Sequence, residues 1–126
     1  MKAVIRVSIF MALLMNCVIF SGCDKNKEIE SSITISGYTG SFYSGYRYWI
    51  RNFSNYQITF YYNDTSSGVS EDHSIVLNTG GTSGSGGEFY LEHQTDGQKT
   101  FKYKTSSNVK VIKWDGTGEI VFRDKE

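Results

Sequence analysis

From residue 32 to the C-terminal region, apolar side chains return at every second position in short runs, and no stretch holds the 3.6-residue period of a helix. This alternation limits the chain to strands. Residues 32–36 alternate through Ile33 and Ile35. Residues 46–53 set Tyr46, Tyr48 and Ile50 on one side and Arg47, Trp49 and Arg51 on the other. Residues 57–63 carry Ile58, Phe60 and Tyr62 on one face; 73–77 carry Ile75 and Leu77, and 88–93 carry Phe89 and Leu91. Residues 99–104 oppose Phe101 and Tyr103 to Lys102 and Lys104. Residues 109–114 oppose Val109, Val111 and Lys113 to Lys110, Ile112 and Trp114, and 119–123 (EIVFR) close the series. The chain has no proline, so every turn between these runs is made by Gly, Asn, Asp or Ser. Eight strands at short spacing predict one all-β domain over 32–126, a single antiparallel β-sandwich or, as the alternative, a small β-barrel. Ser54-Asn55 predicts a hairpin between 46–53 and 57–63, and Asp115-Gly116 predicts another near the C-terminus. Residues 78–87 (NTGGTSGSGG) read as a flexible, exposed connection.

The first twenty-three residues follow a different rule. Lys2 and Arg6 precede an apolar run over 7–20 that is too short to cross a bilayer comfortably but fits a secretory signal. Phe20-Ser21-Gly22-Cys23 looks like a lipobox, with Phe20 in place of the usual leucine. The expectation is a signal peptide over 1–22, lipidation of Cys23, and a charged tether completing 23–31. The alternatives are an ordinary signal cut near Gly22, which leaves Cys23 a thiol, and an uncleaved anchor helix. Acyl chains contribute about 0.8 kcal/mol per buried methylene, and stable anchoring takes more than one chain. The membrane is therefore the first expected partner. The expected location is a bacterial cell envelope, with the outer membrane or cell surface favoured over the inner membrane; a short acidic tether would argue for surface export, and the mixed charge of this one supports it only weakly.

The mature chain would carry eleven basic and thirteen acidic groups, a balance that offers no electrostatic case for nucleic acid. Both cysteines lie within the first 23 residues, so the domain has neither a disulfide framework nor a cysteine metal site. His73 and His93 lack compact ligand spacing, and the acidic residues around 64–72 lack the spacing of a calcium loop. The glycine-rich run has neither a GxxxxGK[ST] nor a GxSxG pattern. The expectation is a protein that is not an enzyme and holds no metal or cofactor.

Aromatic residues are the one set that suggests a ligand. If Tyr46, Tyr48 and Ile50 face the core, Trp49 stands outside between Arg47 and Arg51. These three, with Tyr61, are the candidate ligand-binding residues, for a protein or a glycan. Cys23 with the layout that follows it resembles small lipoproteins of Bacteroidota, which have a lipobox, a charged tether and one β-sandwich of about a hundred residues. The stretch from Ile50 to Phe60 is similar in style to a strand–turn–strand hairpin near their mature start. The resemblance implies a membrane-anchored, non-enzymatic binding or structural module; a surface carbohydrate-binding lipoprotein is the alternative. It carries no functional residue besides Cys23.

Overall fold

The structure is a computed structural model that describes residues 27–126; the predicted signal peptide, Cys23 and the start of the tether lie outside them. Eight strands form: β1 (Glu28–Ser36), β2 (Tyr46–Asn52), β3 (Ile58–Asp64), β4 (Glu71–Leu77), β5 (Glu88–Gln94), β6 (Gln98–Ser106), β7 (Val109–Trp114) and β8 (Glu119–Asp124). They make two four-stranded sheets, β1-β6-β3-β4 and β5-β2-β8-β7, packed as a sandwich without closing into a barrel. Each sheet turns one face inward. The first gives Ile35, Ile58, Phe60, Leu77, Phe101 and Tyr103 to the core, and the second gives Tyr48, Ile50, Leu91, Val109, Ile120 and Phe122. Aromatic rings meet across the interface: Tyr48 on Phe101 edge-on at 5.3 Å, and Tyr103 on Phe122 at 5.1 Å. Burying one such ring is worth roughly 1.5–3 kcal/mol, which lets the core stabilise a domain without disulfides.

Four features depart from the sequence-based expectation. The predicted hairpin between 46–53 and 57–63 does not form. β2 pairs with β5 and β8, whereas β3 pairs with β4 and β6. A hairpin would place Tyr48, Ile50, Ile58 and Phe60 on one face of one sheet; splitting the strands between sheets sets these side chains face to face. The second departure is the parallel pairing of β2 with β8, from Trp49↔Glu119 to Asn52↔Phe122, in an otherwise antiparallel fold. Third, β1 begins at Glu28, so residues 28–31 belong to the sheet rather than to a tether: Glu28 pairs with Ser106 and Ser31 with Tyr103. Fourth, the glycine-rich 78–87 segment is a compact, internally hydrogen-bonded loop. Gly87 N–H reaches Thr82 O at 2.9 Å, and a side chain on Gly81 would run into the Phe53 ring.

The Asp115-Gly116 hairpin forms as predicted, joining Trp114 to Glu119 across β7 and β8. Pairing also sorts the loops into two ends. The segments 37–45, 65–70, 95–97 and 115–118 gather at the Ser36 end of β1; the segments 53–57, 78–87 and 107–108 gather at the Glu28 end. The nine residues of β1 separate these ends by about 27 Å.

Candidate functional site

The alternation in β2 (burial of Tyr48, Ile50 and Asn52) turns Arg47, Trp49 and Arg51 to the outer face of β5-β2-β8-β7. Register brings further side chains beside them. Tyr90, Trp49, Glu119 and Trp114 form one row across the four strands, and Glu88, Arg51, Val121 and Ile112 form the next. Tyr90 and Trp114 are 43% and 45% exposed at the two ends of their row. Val121 is only 2% exposed although it faces outward, so its neighbours form a second layer over the sheet.

That layer is a ladder of alternating cations and rings. Tyr90 stacks on Trp49 with centroids 5.3 Å apart and planes 9° from parallel. The Arg51 guanidinium lies 3.9 Å from the Trp49 ring centre and 5.1 Å from that of Phe53, and Arg123 covers Phe53 at 4.9 Å. At the other end, Arg47 lies 4.8 Å from Tyr43, 5.2 Å from Tyr38 and 5.8 Å from Tyr90, and donates to the Tyr43 hydroxyl at 2.8 Å. Cation–π contacts contribute about 0.5–1 kcal/mol each at exposed sites. Two acids hold the ladder in place. Glu88 accepts the Trp49 indole N–H at 2.5 Å, and Glu119 pairs with Arg51. Burial, then the Glu88 carboxylate, pushes the Tyr90 hydroxyl above its ordinary value against the pull of Arg47 and Arg51, so Tyr90 remains a donor at neutral pH.

The structure therefore brings together Arg47, Trp49 and Arg51 but not Tyr61. Tyr61 lies on the outer face of the opposite sheet, beside an open groove of about 460 Å³ shared with Glu30, Asn63, Asp72 and Lys102. Trp49 faces outward, as its parity suggests, but it is not open to a ligand. Its ring is occupied by Tyr90 and Arg51, so the aromatic surface left for a ligand is that of Tyr90 and Trp114. Both residues oppose inward-facing neighbours in their own strands, and that alternation is the sequence signal that singles them out. Loop 37–45 adds Phe42, which is 96% exposed. Among the described residues no group of three or more His, Cys, Asp or Glu side chains is placed to hold a metal ion. His73 instead stacks on Tyr62 and lies 3.4 Å from Glu71, and His93 neighbours Tyr43. The fold and this face define a two-sheet all-β domain with an arginine–aromatic outer surface. No family model, no curated protein and no solved structure matches the chain.

Proposed function

We propose that the protein is a membrane-anchored lipoprotein of the bacterial cell envelope, akin to the small Bacteroidota lipoproteins it resembles. It is held by lipid on Cys23 and serves as a non-enzymatic binding module. One observation carries the binding role: the outer face of β5-β2-β8-β7 bears Tyr90, Trp49 and Trp114 in one row, with both ends of the row open. An outer face needs only to be soluble, and a row of large rings among fixed polar groups is poorly suited to that alone. It suits a flat ligand that stacks on rings and takes hydrogen bonds at its rim. A sugar chain has that form, and this favours a glycan over a protein as the ligand.

The test is binding of cell-envelope polysaccharide to the detergent-solubilised full chain by calorimetry. Trp114→Ala and Tyr90→Ala are each expected to weaken binding by about tenfold, the equivalent of 1.4 kcal/mol, while the melting temperature stays within a few degrees of the parent. Unchanged affinity in both variants would remove this face from the binding reaction.

A further inference from the structure

The ligand of this face can be narrowed by charge. The described residues contain three arginines and seven lysines, and all three arginines (Arg47, Arg51 and Arg123) stand on the outer face of β5-β2-β8-β7. Of the lysines within strands only Lys110, paired in register with Arg123, shares that face. Of the three acids there, Glu88 accepts from Trp49 and Glu119 pairs with Arg51, which leaves Glu92, two residues beyond Tyr90 on β5, as one acid against three cations. Among the described residues Arg47, Lys110 and Arg123 have no carboxylate within ion-pair distance, so the uncompensated charge of the face is positive. The described chain as a whole is mildly acidic, and the excess on this face is therefore local.

The choice of arginine matters. A guanidinium presents a rigid fork that matches the two oxygens of a carboxylate, sulfate or phosphate, and it stacks on aromatic rings while doing so. Lysine offers a mobile point charge without a stacking plane. Arg47 is held among Tyr38, Tyr43 and Tyr90, and Arg123 against Phe53, so both are oriented before any ligand arrives. They sit toward opposite ends of the ladder. Arg47 and Arg51 alone are four residues apart on β2, about 13 Å. One small anion cannot reach both ends, whereas a chain with repeated acidic groups can.

From this geometry, and resting on the glycan-binding reading above, we infer that the ladder face binds an acidic polysaccharide, with Arg47 and Arg123 taking its anionic groups and Tyr90 and Trp114 its ring faces. A single-stranded nucleic acid would also offer anions and rings. The small number of free cations and the three acids interleaved with them (Glu88, Glu92 and Glu119) favour the sugar polymer.

The experiment measures binding of the full chain in detergent to polygalacturonate, dextran sulfate, neutral dextran and oligo-dT. The expected result is binding to the two acidic polysaccharides and not to neutral dextran, weakening steeply as salt rises from about 50 to 500 mM. Arg47→Gln and Arg123→Gln are each expected to lower affinity about tenfold. Arg47→Lys should recover part of the loss if the fork and its charge both act, and it serves as the folded control should Arg47→Gln unfold. Lys102→Gln, on the outer face of the other sheet, should change nothing. Equal binding of neutral and acidic dextran would overturn the charge assignment and leave the glycan reading standing. Binding of none of the polysaccharides by folded protein would overturn both. Preference for oligo-dT, or an equal loss in Lys102→Gln, would also overturn the inference.

Discussion

Asn52 is fully buried, so its carboxamide must find every partner within the protein. Its Nδ2 donates to the carbonyls of Tyr56, Leu77 and Asn78 at 2.7, 3.1 and 3.2 Å, and its Oδ1 accepts from the backbone and hydroxyl of Ser54. One side chain thus ties the last residue of β2 to the end of β4 in the other sheet, where the chain crosses over. Asn52→Leu keeps the volume but leaves buried carbonyls unpaired. The expected loss is about 2–4 kcal/mol, seen as a lower urea midpoint with an unchanged slope. The alternation Tyr48, Ile50, Asn52 already marks this residue as inward-facing, but no local pattern names its partners. His93 shows the opposite limit. Strict alternation from Phe89 and Leu91 would turn His93 inward. Instead it adopts φ 60° at a bulge between Tyr46↔Gln94 and Tyr48↔Leu91, and Gln94 takes the buried place. An inserted residue leaves no trace in a two-residue period, so the bulge could not be read from the sequence.

At the level of elements, Gln94 does at the Ser36 end of the sandwich what Asn52 does at the Glu28 end. From β5 its Oε1 accepts from the Thr65 backbone and hydroxyl at 2.9 and 3.0 Å, and its Nε2 donates to Asp64 at 3.1 Å. The clasp joins β5 to the loop between β3 and β4 in the other sheet. The Ser66 backbone N–H and then the Gln94 amide hold the Asp64 carboxyl below the usual carboxylate range. A depressed folded-state value means that the ionised carboxylate stabilises the fold. This contribution is fully present above the unfolded value of about 3.9 and is lost as pH falls through the lower folded one. In melts between about pH 6 and 2.5, the parent is expected to lose more stability than Asp64→Asn on the acid side, so the gap between them narrows. A gap independent of pH would mean that the carboxylate is not part of the clasp. Apart from the bulge in β5 and the start of β1, the strands and their inward faces follow from alternation, which is why the outward placing of Arg47, Trp49 and Arg51 could be anticipated. Alternation assigns a strand its faces and not its neighbours. The split of β2 from β3 and the parallel β2–β8 pair depend on which sheet packs on which, a contact between residues far apart in sequence.

For the whole molecule, the two ends of the sandwich are chemically distinct. The described chain enters at the Glu28 end, four residues after Cys23, so an anchor there would hold that end toward the bilayer. The opposite end, about 27 Å away along β1, carries Phe42 and Tyr38, and the Trp114–Glu119 hairpin of the ladder face opens there too. With the anchor proposed above, the exposed rings would lie at the end away from the bilayer, where a protein can reach material lying off a membrane. This ordering would make the proposed anchor and the proposed binding face separable. Cys23→Ala is expected to move the chain from the membrane to the soluble fraction, with polysaccharide affinity in solution unchanged, because every residue of the ladder lies between Tyr38 and Arg123. In intact cells of the parent strain, a non-permeant protease should remove the domain. Protection until the outer membrane is opened would place it in the periplasm and point to an envelope polymer as its ligand. Membrane fractionation that survives Cys23→Ala would require some other attachment, and the orientation argued from β1 would go with it.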